Sequence, residues 1–254
     1  MNTKPHNWLT EIPIAHRGYH TNDSLIPENS LTAFENAIKN GFAIELDVHL
    51  LSDNKVVVFH DATLLRLCGI DKQISELNSD DVKKYPILES ENRIPLLQNV
   101  LELVNGKVPL LIELKYNEEA GLLEQAVVNE LQSYKGEFAM HSFNPSALQW
   151  FSENSPEIMR GQVISKYRGE KINPVTKFAL SDDYLNNISK PDFIACDFRD
   201  LPDADVEKCR KKGLPVLAWT IRSIEEQNQI SEYADNIIFE NYFCSSFGSK
   251  KGKL

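Results

Sequence analysis

Short apolar runs alternate along the chain with longer segments in which apolar residues recur every three or four positions. The short runs have the length of β-strands, and the longer segments have the period of amphipathic helices. This alternation predicts parallel strands joined by crossover helices. Eight strands are predicted, at residues 12–15, 43–48, 110–114, 138–142, 161–164, 193–196, 216–220 and 237–239. Helices are predicted between them at residues 30–40, 96–104, 119–133, 145–153, 204–212 and 224–233.

The length of 254 residues agrees with a closed barrel, since eight strand and helix units need about 250 residues. We therefore predict an α/β fold of the (βα)8 TIM-barrel type, which forms a single domain over residues 1–254. Apolar residues make up 42% of the chain and charged residues 25%, which is typical of a globular protein with a large core. Surface helices of such a barrel can pair, so the fold is compatible with a homo-oligomer.

Two strand-like runs, 45–51 and 55–60, are separated by only three residues. No crossover helix fits in that space, so we predict that the second run folds back as an antiparallel hairpin extending from the barrel. The turn is expected to centre on Asp53 and Asn54. The pairs that follow from this turn are Leu51 with Val56, His49 with Val58, and Asp47 with His60.

The segment 61–93 is polar and has no regular period. We predict that it is a small insertion at the barrel mouth. About 30 residues cannot bury much core by themselves, so separate folding of this segment is not expected. Its expected apolar anchors are Leu64, Leu67, Ile74, Leu77, Val82 and Ile87.

The charge balance limits the partners of the chain. There are 27 Lys and Arg residues against 37 Asp and Glu residues, which gives a net charge of −10. This charge opposes nonspecific binding to nucleic acid or to anionic lipid. An anionic substrate would need local positive charge from a metal ion or from a few Arg and Lys side chains.

The sequence has no signal-peptide core and no apolar run of 18 residues. These features predict a cytoplasmic protein without stable membrane insertion. Its cysteines are scattered without a C-x-x-C pair, so we expect structural thiols in a reducing compartment. The tail 245–254 is expected to be frayed.

Carboxylates occur in the second and third predicted barrel strands at a spacing of two residues. Glu45 and Asp47 share a face of their strand, and Glu113 and Lys115 repeat this spacing. Active sites of TIM barrels lie at the carboxyl ends of the strands, so we expect these side chains at one mouth. Three carboxylates facing one lumen would repel each other unless a cation lay among them, which indicates Mg²⁺ or Ca²⁺. The alternative is an internal ion-pair network of the two glutamates with Arg17 and Lys115.

Two histidines, His16 and His60, follow strand-like runs and are expected at the same mouth. One imidazole can remove a proton from an attacking hydroxyl while the other protonates the departing oxygen. Arg17 and Lys115 would hold phosphate oxygens together with the metal ion. A single histidine after a strand is more often a packed residue, whereas its combination with acids and cations favours phosphoryl transfer.

An ordered set of motifs extends this pattern over almost the whole chain. The motifs are IAHRG, PENSLTAF, AIELDVHLLSDNKVVVFHD followed by TLLRLCG, LLIELK and LAWT. In order and spacing they resemble the glycerophosphodiester phosphodiesterase family, most strongly over residues 12–69. HRG or HD alone would be weak evidence, whereas the ordered set is specific. The resemblance implies a metal-dependent hydrolase on a TIM barrel.

The resemblance also implies roles for individual residues. The matched positions are His16 and His60 for acid and base catalysis, Glu45, Asp47 and Glu113 for the metal ion, and Arg17 and Lys115 for the phosphate. Glu28 matches a polar position near metal and substrate. Asn29 is expected mainly to cap the helix that begins at Ser30. Trp219 is similar to the aromatic wall of the family's substrate pocket, with plain barrel packing as the alternative.

The implied function is hydrolysis of a small-molecule glycerophosphodiester, such as glycerophosphocholine, to glycerol 3-phosphate and an alcohol. One alternative is a lysophospholipase D or related phosphodiesterase that acts on lipid-like molecules. Another is a catalytically silent barrel that binds phosphodiesters or a protein partner. The insertion offers only scattered leucines for a lipid, and the complete set of acids and histidines argues against a silent site.

Overall fold

The computed structural model describes residues 8–21, 23–115, 120–166 and 188–247. Contacts between residues divide the chain into two compact units. Unit 1 comprises Met1–Ile14 and Ala139–Leu254, and unit 2 comprises Ala15–Phe138. The organisation as a single domain stays a prediction, and the predicted fraying of the last residues, 248–254, falls outside the described residues.

The described residues form nine strands and nine α-helices. The strands are β1 (Ile14–Ala15), β2 (Ala43–Leu50), β3 (Val56–Val58), β4 (Leu110–Leu114), β5 (Phe138–Ser142), β6 (Arg160–Ile164), β7 (Phe193–Asp197), β8 (Val216–Ile221) and β9 (Asn236–Phe239). The helices are α1 (Trp8–Glu11), α2 (Leu31–Asn40), α3 (Leu65–Cys68), α4 (Ser79–Val82), α5 (Leu97–Val104), α6 (Leu122–Leu131), α7 (Pro145–Asn154), α8 (Ala204–Lys211) and α9 (Ile224–Ile230).

Backbone hydrogen bonds order the strands as β1-β9-β8-β7-β6-β5-β4-β2-β3, and β1 also pairs with β2. The pair β2–β4 and the successive pairs from β5 to β9 are parallel, whereas β3 is antiparallel to β2. This order describes a closed eight-stranded parallel barrel with a hairpin extension, and helices intervene between its strands. The predicted fold class is therefore confirmed.

Each predicted barrel strand is present, and its ends lie within two residues of the predicted ones. Strands such as β4 are buried along their whole length, as expected where a parallel sheet is covered on both faces. The predicted helices are also present, although α6 and α9 are shorter than the sequence period indicates. Residue 119, the predicted start of α6, lies outside the described residues.

The start of α2 corrects one prediction. Ser30, rather than Asn29, is the N-cap residue: its hydroxyl accepts a hydrogen bond from the Ala33 N–H at 3.2 Å. The helix ends at Asn40, and Gly41 follows in the left-handed region with φ of 72°. Asn29 is thus available for a different contact in unit 2.

The hairpin of β2 and β3 is confirmed, but its predicted register is wrong by one residue. Val48 pairs with Val58, and His49 pairs with Val57. The loop between Leu51 and Lys55 contains three residues, whereas the predicted pairs imply a two-residue turn of Asp53 and Asn54. Asn54 takes a left-handed conformation with φ of 60°. A turn followed by one left-handed residue is a common three-residue hairpin loop, and asparagine tolerates this conformation.

The insertion 61–93 packs on the hairpin within unit 2. All six predicted anchors are buried in one apolar cluster with Leu51, Val57, Phe59 and Ile94. Short helices α3 and α4 lie in this segment, together with a 3₁₀ turn at Ile74–Glu76. Because four members of the cluster come from outside the insertion, the segment shares its core with the hairpin.

Among the described residues, no helix combines the length and the apolar character needed to cross a bilayer.

Candidate active site

Three carboxylates lie on a common face of β2 and β4 in unit 2. Asp47 and Glu113 are register partners in this parallel pair, and Glu45 lies two residues before Asp47 on the same face. Asp47 and Glu45 are each 1% exposed, and Glu113 is 8% exposed. The strand pattern therefore places the three predicted metal ligands on one buried face, where a carboxylate oxygen of Glu45 lies within 4.8 Å of one of Glu113.

Lys115 lies between two of these acids. Its Nζ is 2.7 Å from Asp47 Oδ1 and 2.6 Å from Glu113 Oε1. Burial would lower the pKa of this ammonium group, but the charges of Asp47 and Glu113 outweigh burial and raise the pKa. Lys115 is therefore a fixed positive charge at this site.

Arg17 joins the loop after β1 to the same acids. Its backbone N–H donates to Glu45 Oε2 at 2.8 Å. Its guanidinium Nη1 donates to Glu28 Oε1 at 2.6 Å, and its Nε lies 3.5 Å from Asp47 Oδ2. The ion-pair alternative is thus present in part: Lys115 pairs with Glu113, and Glu45 accepts from the backbone N–H of Arg17 while its charge helps to raise the pKa of the Arg17 guanidinium.

Gly18 allows this loop to pass close to α2. Its φ is 79°, and a Cβ atom at this position would lie 2.9 Å from both Ala33 Cβ and Phe34 Cδ1. A side chain here would therefore meet both backbone strain and a steric clash. The glycine of the HRG motif fixes the path of the loop that carries Arg17.

Asn29 contacts Asp47 directly, a role that sequence reasoning missed. Its Nδ2 donates to Asp47 Oδ2 at 2.8 Å, and both residues are almost fully buried. The backbone N–H of Asn29 donates to the Arg17 carbonyl at 2.9 Å. Asn29 therefore orients the central carboxylate, and its left-handed φ of 52° is one that asparagine tolerates.

Both predicted catalytic histidines lie within electrostatic range of Asp47. Burial opposes ionisation of this carboxyl, but the charges of Lys115, His60, Arg17 and His16 outweigh burial and hold its pKa well below the usual range. The two histidines, the two cations and the buried acids therefore belong to one cluster in unit 2.

His60 is oriented by its neighbour Asp61. The distance from His60 Nδ1 to Asp61 Oδ1 is 2.7 Å, and the His60 side chain is 33% exposed. Burial opposes ionisation of Asp61, but hydrogen bonds with His60 and Arg66 outweigh burial and lower its pKa. An ionised Asp61 favours the proton on Nδ1 of His60 and leaves Nε2 for proton transfer.

Arg66 is a second residue that sequence reasoning missed. Its guanidinium group contacts both Glu28 and Asp61. Burial opposes ionisation of Glu28, but hydrogen bonds and charges from Arg66 and Arg17 outweigh burial and lower its pKa to about 2. The only sequence signal for Arg66 is its place in the TLLRLCG motif, which says nothing of its contacts.

Trp219 lies on β8 in unit 1. Its ring packs edge-on against Phe143, with 5.6 Å between ring centroids and an interplanar angle of 88°. The residue is half-buried. This contact agrees with the packing alternative, and a role for Trp219 in substrate binding stays a prediction.

The donor set in unit 2 fits a hard divalent cation. The three carboxylates carry three negative charges, and Lys115 balances one of them. The positive charge of Arg17 is balanced by a further acid, Glu28, so Arg17 does not reduce this excess. Two negative charges then remain on buried oxygen ligands, and an ion such as Mg²⁺ or Ca²⁺ would balance them.

Comparison with protein families gives one match over most of the chain. The model of the "Glycerophosphoryl diester phosphodiesterase family" matches residues 16–241, a span that includes every predicted site residue. The chain belongs to this family. The family prediction and the assignment as an enzyme of the phosphodiesterase class are therefore confirmed, and members of this family generally use a divalent metal ion.

Individual relatives agree with this family. A glycerophosphodiester phosphodiesterase of Caldanaerobacter subterraneus subsp. tengcongensis is 27% identical over 252 residues, covering 92% of this chain and 95% of the relative. A lysophospholipase D of Rattus norvegicus is 34% identical over 137 residues, covering 49% of this chain and 42% of the relative. The solved structure of an Oleispira antarctica phosphodiesterase, in complex with the product sn-glycerol-3-phosphate, has a TM-score of 0.77 at 24% identity and covers 92% and 94% of the two chains.

Proposed function

We propose that this phosphodiesterase hydrolyses glycerophosphodiesters such as glycerophosphocholine to glycerol 3-phosphate and an alcohol, with His16 and His60 as its proton-transfer pair. The observation that carries this proposal is the contact of Asp47 with Lys115 at 2.7 Å and with Arg17 at 3.5 Å, together with the electrostatic action of His16 and His60 on the same buried carboxylate. The product sn-glycerol-3-phosphate in the Oleispira antarctica phosphodiesterase supports the same substrate class.

The proposed metal ligands are Glu45, Asp47 and Glu113, and the proposed ion is Mg²⁺ or Ca²⁺. When bound, such an ion would supply a Lewis acid for the phosphate oxygens. Arg17 and Lys115 would hold the same oxygens as charge shifts in the transition state. Support comes from the burial of the three acids and from their excess of negative charge over Lys115.

The two histidines would exchange protons with the substrate in two stages. In the first, one imidazole takes the proton of the glycerol hydroxyl next to the phosphate while that oxygen attacks phosphorus. The other imidazole gives a proton to the departing alcohol oxygen, which leaves a cyclic phosphate. In the second stage water opens the ring, and the histidines exchange roles, so that both return to their starting protonation states.

The proposal extends to two further side chains and to the organisation of the chain. Glu28 would act on the phosphate through Arg17, which it contacts at 2.6 Å. Trp219 would form an aromatic wall for the substrate. We also propose a cytoplasmic location, a single domain with an insertion at the barrel mouth, and a fold able to form a homo-oligomer.

A substrate panel tests the proposed function. Purified protein is incubated with glycerophosphocholine, glycerophosphoethanolamine and glycerophosphoglycerol, and release of glycerol 3-phosphate is measured with chelator and after Mg²⁺ or Ca²⁺ add-back. We expect release that chelator abolishes and metal restores. No hydrolysis of any substrate, together with no binding of a divalent ion in calorimetry, would favour the silent barrel.

One observation favours a second candidate, cleavage of lysophospholipids. Leu25 is 76% exposed and Leu65 is 55% exposed in unit 2. Their sequence neighbours Ser24 and Arg66 both line the same surface groove. These leucines could contact an acyl chain, and a relative that matches 49% of this chain is named lysophospholipase D. Lysophosphatidylcholine is therefore assayed beside glycerophosphocholine, and a clear preference for the lipid would overturn our substrate assignment.

A further inference from the structure

Arg66 is bonded to two separate carboxylates. Its Nη1 donates to Glu28 Oε2 and its Nη2 to Glu28 Oε1, both at 2.8 Å. Its Nε donates to Asp61 Oδ2 at 2.7 Å, and Nη2 also reaches Asp61 Oδ1 at 3.1 Å. This arrangement uses two edges of the planar guanidinium group, Nη1 with Nη2 for Glu28 and Nε with Nη2 for Asp61, which a lysine ammonium cannot reproduce.

Each of these carboxylates contacts a proposed site residue. Asp61 is 2.7 Å from Nδ1 of His60, and Glu28 accepts from Arg17 Nη1 at 2.6 Å. Arg66 therefore stands between a proton-transfer group and a phosphate-binding group. The connection runs through direct hydrogen bonds only.

The backbone that carries Arg66 is firmly anchored. Leu64 and Leu67 on either side are 0% and 4% exposed and belong to the apolar cluster of the insertion. The Cys68 N–H donates to the Leu64 carbonyl at 2.8 Å, and the Leu88 N–H donates to the Leu67 carbonyl at 2.7 Å. The guanidinium group is thus presented from a fixed segment, although its own side chain is 46% exposed.

We propose that Arg66 is a positioning residue of this enzyme, which holds His60 through Asp61 and Arg17 through Glu28 so that both face the substrate in fixed orientations. This inference rests on the proposed function of His60 and Arg17. Because Arg66 lies in the insertion 61–93, this segment would then align site residues in addition to covering apolar surface. A merely structural ion pair at this exposure would contribute little, and its loss would leave turnover unchanged.

The test compares R66Q, R66K and the control R93Q on glycerophosphocholine with metal present. Arg93 lies in the same insertion, and its Nη1 donates to the backbone carbonyls of Ser90 and Asn92. We expect R66Q to lower kcat by about tenfold to a hundredfold, a part of the factor that a well-placed general acid or base contributes. KM should rise by less than about threefold, and R93Q should match the wild type. R66K should lose almost as much as R66Q, because charge without the fork cannot hold both carboxylates.

Melting curves and a rescue experiment separate positioning from folding. Free guanidinium at millimolar concentration should restore part of kcat to R66A, whereas it should restore nothing to H60A. If R66Q keeps kcat within about twofold of the wild type while H60A is inactive, the positioning role is wrong and the proposed function stands. The positioning role would also be wrong if R66A lost turnover, showed no rescue by guanidinium and had a lower melting temperature. Native turnover in H60A would overturn the proposed function and this inference together.

Discussion

Two groups of side chains in unit 2 form the candidate site, and different forces hold them. The strand group, Glu45, Asp47 and Glu113, is fixed by the backbone hydrogen bonds of β2 and β4 and is almost fully buried. The loop group consists of residues on the segments after β1 and β3 and on α3, and ion pairs join Arg17, Glu28, Arg66, Asp61 and His60 within it. Its members are His16, Arg17, Glu28, His60, Asp61 and Arg66.

The positions of the two groups are therefore determined by different features of the sequence. The strand acids are placed by the two-residue alternation of a sheet, so their geometry survives a change in charge elsewhere. The loop group depends on contacts between residues far apart in sequence, such as Glu28 and Arg66, which are separated by 38 positions. We therefore expect the loop group to respond more strongly to pH and to single substitutions.

The largest expected effect comes from the histidines of the loop group. H16A and H60A should each lower kcat on glycerophosphocholine by about 10²–10⁴, the usual contribution of a general acid or base. Metal binding should persist, because the strand acids are untouched. Steady-state kinetics with calorimetry on the same samples checks both points, and a near-native rate in either variant would refute the assigned role.

An effect of intermediate size concerns the acid stability of the loop group. The pKa of Glu28 falls from its ordinary 4.5 to about 2 on folding, so Glu28 stabilises the fold above pH 4.5 and loses this contribution as pH falls toward 2. The shift corresponds to about 3 kcal/mol at neutral pH, and the side chain is 12% exposed. Urea unfolding at pH 7 and pH 3 should show the wild type losing about 2 kcal/mol more than E28Q over this interval. Equal losses in both proteins would contradict the ion-paired state of Glu28.

The smallest effect is expected where the two groups meet. N29G removes the amide that donates to Asp47 without straining a backbone with φ of 52°, since glycine accepts this conformation. We expect a loss of about 0.5–1.5 kcal/mol in unfolding free energy, the usual net contribution of one hydrogen bond, together with reduced turnover.

S30A is the matched control, because it removes the neighbouring helix cap and should cost about 1 kcal/mol while turnover is kept. Denaturation and activity are measured on both variants. Equal turnover in N29G and S30A would show that Asn29 has no part in orienting Asp47.

The barrel could be predicted from sequence because its strands are short apolar runs at regular spacing. The alternation within β2 and β4 also placed Glu45, Asp47 and Glu113 on one face. The hairpin register was missed by one residue, because the left-handed conformation of Asn54 adds a residue to the turn. Local pattern alone does not distinguish a two-residue loop from a three-residue loop here.

The contacts of the loop group could not be predicted for a different reason. Asn29 was expected to cap α2, but Ser30 does so, and the Asn29 amide reaches Asp47, which lies 18 residues away in sequence. Arg66 lies in a short helix without a long period, and its partners follow only from tertiary packing. Periodicity reports which face a residue occupies, whereas such pairings depend on how separate loops fold against each other.

Calorimetric titration of Mg²⁺ and of Ca²⁺ into metal-free protein tests the central claim most directly, with wild type, D47N, E113Q and H60A compared. We predict that wild type and H60A bind about one ion per chain, in keeping with a single site of oxygen ligands. D47N and E113Q should bind at least about tenfold more weakly, because each removes a charged ligand from a different strand. Wild-type affinity in both acid variants, or loss of the ion in H60A alone, would contradict the account.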